Sequence, residues 1–290
     1  MHSLGSDVPF PPSVARALTR MMGRSDALDR ARRLAFADAG HGFDPFGMHP
    51  DFMAFGDALA SWVHDVYFRV QSYDAHHIPS TGPAILAANH SGTLPMDGMM
   101  LWIDVLRNTD PPRAPRPVAD YFVSSLPWIG TLFARAGVVS GSRGNVRRLL
   151  EQGELMMLFP EGVPGVSKPF ADRYQLQNWR VGHCEMAIRY QAPVVPVGIV
   201  GAEEQMPQLG RIPVQRLFGM GIPHIPIPAT PIPLPVRYHI LYGEPLRFDR
   251  EFKPDDADDP EILAACAKRV HDAVEALIHR GLRERQGIFA

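Results

Sequence analysis

The chain has 290 residues, of which 46% are hydrophobic and 21% are charged, and its formal net charge is −2. This composition is typical of one large globular domain, or of a core with an accessory segment, and it excludes a disordered chain. It also argues against a general nucleic-acid binder, because neutralising phosphates requires an excess of lysine and arginine. The two cysteines, Cys184 and Cys266, form no metal-binding spacing, and a reducing cytosolic setting is expected.

The first 52 residues are expected to form a helical and linker segment, and residues 53–290 the main domain. No run reaches the roughly 20 apolar residues that span a bilayer, and the N-terminus lacks the apolar core of a signal peptide. We therefore expect an intracellular protein whose membrane contact is peripheral. A first helix from Pro12 either lies on anionic lipid or, as is commoner, packs on the domain. Its apolar face consists of Val14, Leu18, Met21 and Met22.

Helices alternate with short apolar strands through the main domain. A second helix that packs on the core is predicted from the spacing of Phe55, Leu59, Trp62, Val63, Val66, Tyr67 and Val70. Strands are predicted at residues 85–88, 138–139, 155–159 and 194–200, and further helices at 99–106, 126–136, 145–150 and 179–190. Strands that are apolar on both faces lie in a sheet covered on both sides. The expected fold is therefore α/β, with a mixed, largely parallel sheet, helices on both faces and an N-terminal helical segment.

The stretch from residue 211 to 235 contains seven prolines among apolar residues. Such spacing forbids a helix and a central strand, so the stretch is expected to pack on the core, close a groove or touch lipid. Alternating apolar residues at 236–242 then predict a half-exposed strand. A last helix is predicted from Pro260. Its inward residues are Ile262, Leu263, Cys266, Val270, Val274, Leu277 and Ile278.

Polar side chains follow three of the predicted strands, where each strand ends. They are His90, Arg143 and Glu161, and in α/β sheets ligands gather at the carboxyl ends of the strands. A histidine with Asp97 a few residues on is a plausible general base with an orienting carboxylate, because an imidazole exchanges protons near neutral pH. The alternative is a histidine at a strand end and an aspartate that caps a helix.

Several motifs of known chemistry are missing from the sequence. There is no G-x-S-x-G, which argues against a serine hydrolase of the α/β-hydrolase type. There is no G-x-G-x-x-G and no G-x-x-x-x-G-K-[ST], which argues against dinucleotide and nucleoside-triphosphate binding. The twelve histidines include no H-E-x-x-H or comparable metal spacing. No metal site is therefore predicted.

Four short motifs occur in a fixed order: N-H-S-G-x-x-P-x-D-G at 89–98, G-S-R-G-N at 141–145, F-P-E-G at 159–162 and V-V-P-V at 194–197. With them the chain resembles the glycerolipid and lysophospholipid acyltransferase superfamily, which includes 1-acylglycerol-3-phosphate acyltransferases. The variant first motif resembles bacterial members grouped near the mono- and diacylglycerol acyltransferases. The family usually separates its histidine and aspartate by four residues, whereas six separate them here.

The resemblance implies roles for residues of the first three motifs. His90 is the base that takes the proton from the acceptor hydroxyl, and Asp97 holds it in place. Arg143 contacts the acceptor phosphate, where a guanidinium binds two oxygens at once, and Glu161 with Gly162 shapes the acceptor site. The other substrate-binding residues of these motifs are Asn89, Ser91, Gly92 and Asn145.

Two further roles follow if, as the resemblance implies, the substrate is an acyl thioester. Gly92 and the N–H groups that begin the following helix are expected to stabilise the thioester oxyanion. Three basic residues that follow F-P-E-G are candidates for contacts with the phosphates of coenzyme A. They are Lys168, Arg173 and Arg180.

The implied function is an O-acyltransferase at the cytoplasmic face of a membrane. It moves a fatty acyl group from acyl-CoA, or from an acyl carrier protein, to a hydroxyl of a glycerolipid or lysophospholipid. No cofactor is needed, because the thioester is already activated. The six-residue spacing keeps open a non-catalytic lipid-binding or lipid-transfer protein of the same fold. A thioesterase, in which water replaces the acceptor at the same base, is the other alternative.

Overall fold

The computed structural model describes residues 10–90, 94–121, 123, 128–166, 168–213 and 224–290. In these ranges the chain forms a seven-stranded sheet of order β1-β9-β6-β2-β5-β3-β4 and a separate hairpin of β7 and β8. The strands are β1 Gln71–Tyr73, β2 Ala84–Ala88, β3 Pro115–Ala119, β4 Val139–Ser140, β5 Leu155–Leu158, β6 Val194–Val200, β7 Gln208–Pro213, β8 His224–Pro228 and β9 His239–Tyr242.

Five neighbouring strands, β6, β2, β5, β3 and β4, run parallel. Their carboxyl ends therefore meet at one edge of the sheet, which is where ligands collect in this class of fold. Strand β9 pairs antiparallel with β6, and β1 pairs parallel with β9. The sheet is thus mixed and largely parallel, as the sequence predicts.

Helices cover both faces of the sheet. The described helices of at least seven residues are α1 Pro12–Met21, α2 Ser25–Arg32, α3 Pro50–Trp62, α4 Met96–Asn108, α5 Ile129–Arg135, α6 Arg143–Glu151, α7 Gly182–Arg189 and α8 Pro260–Glu284. One core cluster joins α4 to the sheet, and a second joins α7 and α8 to the other face. In the part of the chain that the structure describes, no helix combines the length and apolar character needed to cross a membrane.

The N-terminal helices belong to the layer outside α4. Helices α1 and α2 both pack against α3, which in turn contacts α4 and α5. Arg16 on α1 forms an ion pair with Asp51 at 2.7 Å, and Arg30 on α2 pairs with the fully buried Asp57. The division of the chain at residue 52 stays a prediction.

Four strands lie where the sequence predicts none. They are β7 and β8, β1, which consists of polar residues, and β3, which contains two prolines and Arg116. Arg116 is fully buried because its guanidinium pairs with Asp44 at 2.6 Å. The strand predicted at 236–242 exists as β9, but the expectation that it is half-exposed is wrong. All four residues of β9 are buried, because the strand lies between β1 and β6 with both faces covered.

The proline-rich stretch stays outside the main sheet, as the sequence predicts. Among the described residues, its strands β7 and β8 pair only with each other and form a separate hairpin.

Helix α3 ends at Trp62, and the chain continues as a π-helical turn, Val63–Tyr67. The expectation that its whole apolar face packs on the core is wrong, because Leu59, Trp62 and Val66 are more than half exposed.

Candidate active site

His90 and Asp97 lie in direct contact at the carboxyl edge of the sheet. His90 follows β2, and Asp97 lies in the first turn of α4. The Nδ1 atom of His90 is 2.7 Å from Oδ2 of Asp97, whose side chain is fully buried. The six intervening residues therefore do not prevent the pair from forming. Because a carboxylate only accepts hydrogen bonds, this contact places the ring proton on Nδ1 and leaves the lone pair on Nε2.

The imidazole is held on its flat face as well as at Nδ1. The ring of His90 stacks on Phe159 with a centroid distance of 4.2 Å and an interplanar angle of 23°. Only 14% of the histidine side chain is exposed. The fully buried Tyr238 interacts electrostatically with the pair: burial, and then the charge of Asp97, raises the pKa of its phenol. The pair therefore has limited access to water.

Glu161 supports the backbone of His90 rather than facing the acceptor. Its Oε1 accepts the N–H of His90 at 3.1 Å, and its Oε2 accepts the N–H of Gln177 at 2.8 Å. The side chain is completely buried. The expectation that this carboxylate orients acceptor hydroxyls is therefore wrong, because both oxygens are engaged inside the protein.

Lys168 and Glu203 extend this buried cluster. The Lys168 ammonium lies 3.1 Å from Oε1 of Glu203 and 3.6 Å from Oε2 of Glu161. Burial raises the pKa of Glu203 to about 7, against the lowering effect of the Lys168 charge. Lys168 is only 7% exposed, so the expectation that it meets coenzyme A phosphates is wrong. Arg173 and Arg180 are exposed, and their contact with the phosphates of coenzyme A stays a prediction.

The two asparagines of the motifs serve the fold. Asn89 is fully buried and clamps β6, because its amide donates to the Ile199 carbonyl at 3.0 Å and its Oδ1 accepts the Ile199 N–H at 2.7 Å. Asn145 donates to the carbonyl of Ser140, and its own N–H is capped by Ser142. The substrate-binding role expected for the buried Asn89 side chain is therefore wrong, whereas that of the half-buried Asn145 stays a prediction.

The remaining motif residues fall into three groups. Gly162 adopts a φ of +59° in the turn after β5, a conformation that glycine adopts without strain, and its contact with substrate stays a prediction. Ser91 and Gly92 lie outside the described residues. Three N–H groups near the start of α4, those of Met96, Gly98 and Met99, already donate within the protein. These three N–H groups are therefore not free for an oxyanion, and the role expected for Gly92 stays a prediction.

Arg143 lies at the same edge of the sheet but away from the histidine. Three strand spacings separate the ends of β2 and β4, about 14 Å at roughly 4.8 Å each. The guanidinium is 85% exposed, and its contact with Glu185 is long, at 3.4 Å. It therefore remains available to an anionic group of a substrate that extends from His90.

The arrangement can abstract a proton from a hydroxyl at Nε2 of His90. The sequence predicts the pair but misses Lys168 and Glu203 as its support. A signal for Glu203 exists, since two adjacent glutamates, Glu203 and Glu204, come shortly after β6 at the edge where the site lies. This α/β fold thus carries, at the carboxyl edge of its sheet, a histidine oriented by a buried carboxylate, which is the arrangement of a general base.

Comparison with known proteins identifies the family. The family model described as Acyltransferase matches residues 69–200. An uncharacterized protein of Mycobacterium tuberculosis is 36% identical over 257 residues, which cover 85% of this chain and 71% of that protein. A Gallus gallus protein named DGAT1/2-independent enzyme synthesizing storage lipids is 27% identical over 222 residues, 73% of this chain and 64% of that protein.

A solved structure shows the same fold. The crystal structure of the 1-acyl-sn-glycerophosphate acyltransferase of Thermotoga maritima matches with a TM-score of 0.55, covering 95% of this chain and 99% of that one, at 15% identity. The chain therefore belongs to the acyltransferase family, within the glycerolipid acyltransferase superfamily that its motifs resemble. The protein is an acyltransferase.

Proposed function

We propose that this acyltransferase moves a fatty acyl group from acyl-CoA, or from an acyl carrier protein, to a hydroxyl of a glycerolipid or lysophospholipid. The observation that carries the proposal is the 2.7 Å contact between Nδ1 of His90 and the buried Asp97. It supplies a base whose free nitrogen is Nε2, which is what an attacking hydroxyl requires. The spacing that favoured a non-catalytic lipid-binding protein no longer argues for it.

The chemistry balances without a metal or redox cofactor. The acceptor oxygen attacks the thioester carbonyl carbon while its proton moves to Nε2 of His90. Asp97 stabilises the imidazolium that forms. When the tetrahedral intermediate collapses, the carbon–sulfur bond breaks and the thiolate takes the proton from Nε2. The products are an ester and a free thiol.

The product of the reaction tests the proposal. Purified protein, labelled oleoyl-CoA and vesicles with either lysophosphatidate or monoacylglycerol are expected to yield a labelled glycerolipid. If lysophosphatidate is the better acceptor, Arg143→Ala should raise its Michaelis constant about tenfold or more, because a charged hydrogen bond is lost. The constant for monoacylglycerol should not change. Free fatty acid made at the same rate with or without acceptor would identify a thioesterase and contradict the proposal.

We also propose that the layer of α1, α3 and α5 contacts the membrane surface. Exposed large apolar side chains concentrate on α1, α3, the π-helical turn after α3, and α5 with the residue before it. Helices α6, α7 and α8 present none among the described residues. Those in the apolar layer are Val14, Met21, Met22, Leu59, Trp62, Val66, Trp128, Ile129, Leu132 and Phe133. Such a one-sided apolar surface is typical of a protein that binds a partner or a lipid surface.

The proline-rich stretch continues this apolar layer. The Trp62 and Tyr67 rings lie 5.4 Å apart, and the Tyr67 hydroxyl donates to the carbonyl of Pro233. Ile232, beside Pro233, is 67% exposed. The contact places another apolar side chain next to the end of α3, at a point where a lipid surface would meet both.

Trp62→Ser is expected to weaken binding to vesicles of phosphatidylcholine and phosphatidylglycerol about tenfold, because a large aromatic surface no longer leaves water. Trp62 is 60% exposed, so the fold should tolerate the change. Vesicle sedimentation measures the partition coefficient. Val181→Ser, at a 40% exposed valine before α7, is the control on the opposite face. Equal loss in both variants would contradict the assignment of the membrane face.

A further inference from the structure

A buried row of charged side chains leads from the end of β6 to the backbone of His90. Glu203, in the turn after β6, accepts from the Lys168 ammonium at 3.1 Å, and that ammonium lies 3.6 Å from Glu161. Glu161 accepts the N–H of His90 at 3.1 Å. We propose that Lys168 and Glu203 are positioning residues. Glu203 holds Lys168, Lys168 holds Glu161, and Glu161 fixes the backbone that carries the catalytic imidazole.

The row is sealed from water along its length. Lys168 and Glu203 are each 7% exposed and Glu161 is 1% exposed. Attraction between charges is much stronger in such surroundings than at the surface, and a carboxylate left without a partner there is costly. The three side chains therefore have one favourable arrangement, which makes them suited to holding a neighbour in place.

Packing couples the segment that carries Lys168 to His90. A Cβ atom at Gly165 would lie 2.9 Å from the carbonyl oxygen of His90 and 3.1 Å from its Cβ. The backbone three residues before Lys168 therefore lies directly against the catalytic residue. A shift of Lys168 is transmitted to His90 both through Glu161 and through this contact.

The charge balance of the row is unusual for a purely structural cluster. Two carboxylates, Glu161 and Glu203, flank one ammonium, and burial raises the pKa of Glu203 to about 7. The Glu161 carboxylate adds to this rise, while the Lys168 charge and the N–H of Tyr174 oppose it. Buried groups with such shifted pKa values concentrate at functional sites. This arrangement lies next to the base of the proposed reaction.

The inference rests on the proposed function, since a positioned imidazole has a kinetic consequence only if His90 takes the proton. The experiment compares Lys168→Met with the double variant Lys168→Met/Glu203→Gln. The single change leaves two buried carboxylates without a cation, whereas the double change leaves Glu161 as the one carboxylate of the row. Stability should therefore fall in the single variant and recover in the double variant. Lys268→Met/Asp272→Asn removes an exposed ion pair as the control.

We expect kcat of the double variant to remain about 10- to 100-fold below that of the wild type, because a small displacement of a catalytic group has effects of this size. The Michaelis constants should stay within about twofold, since neither side chain reaches substrate. The melting temperature of the double variant should be close to that of the wild type. If kcat recovers together with stability, Lys168 acts through the fold alone and the proposal is overturned.

A second measurement does not depend on acyl transfer. Hydrogen exchange of the His90 amide, which donates to Glu161, should be about tenfold faster in the double variant than in the wild type and unchanged in the control. If the wild type makes no glycerolipid but this exchange accelerates, the proposed function fails and the positioning row stands. If the His90 amide exchanges at the same rate in the double variant as in the wild type, the positioning role of Lys168 and Glu203 is overturned, whatever the activity.

Discussion

Replacing His90 with glutamine is expected to lower kcat for acyl transfer by about 10²–10⁴-fold, the usual contribution of a positioned general base. Glutamine is similar in size but does not accept the hydroxyl proton. The fold should be retained, because the side chain is held by one stacking contact with Phe159 and one hydrogen bond to Asp97. Initial rates with labelled oleoyl-CoA and the better acceptor measure the effect, and circular dichroism checks the fold.

The control for this variant is His279→Gln on α8, at an exposed histidine on the same chain. It should transfer acyl groups at the rate of the wild type. A His90→Gln protein that is folded and keeps more than a tenth of the wild-type kcat would show that another group takes the proton. In that case the 2.7 Å contact with Asp97 serves the structure and not the reaction.

The central strands were predictable because they are apolar on both faces. β2 and β6 are buried throughout and β5 in three of its four residues, and in β6 the apolar run outweighs Pro196 and Gly198. Strand β3 was not predictable, because its buried Arg116 becomes acceptable through distant partners, above all Asp44, some 70 residues away. Local pattern does not reveal a partner at that distance, and an arginine between prolines indicates a loop.

The exposed face of α3 shows a second limit of periodicity. The 3.6-residue spacing correctly predicts a helix with an apolar side. It does not tell whether that side faces the core or another apolar phase, because the hydrophobic effect drives both. Leu59 and Trp62 lie outward, so the sequence pattern of this helix contains one apolar surface that packs on the core and another that is exposed.

The pair of His90 and Asp97 was predictable from the sequence, but the contacts that hold this pair in place were not. Motif order indicates His90 and Asp97, and a loop of six residues was free to return the carboxylate to the ring. The partners of Asn89 and Glu161 are backbone groups far along the chain, namely those of Ile199, His90 and Gln177. Backbone N–H and C=O groups exist at every position, so sequence alone gives no indication of which ones a side chain will meet.

Replacing Asp97 with asparagine should lower kcat almost as much as replacing His90, by about 10²–10⁴-fold. The carboxylate keeps the ring proton on Nδ1. An asparagine amide in its place donates to Nδ1, which moves the proton to Nε2 and removes the lone pair that accepts the hydroxyl proton. The structure should change little, since Asp97 and asparagine have nearly the same shape. The N–H of Gly98, which now donates to Oδ1 of Asp97, still meets a carbonyl oxygen.

Nitrogen spectra of labelled histidine give the tautomer directly and separate this cause from a loss of fold. The wild type should carry the proton of neutral His90 on Nδ1, and Asp97→Asn should carry it on Nε2. Asp29→Asn, at an exposed aspartate paired with Arg32, should match the wild type in both tautomer and rate. If Asp97→Asn shifts the proton to Nε2 but transfers acyl groups normally, His90 is not the base. A slow variant with the proton still on Nδ1 would instead assign Asp97 the task of stabilising the imidazolium, because orientation of the ring alone would then be intact.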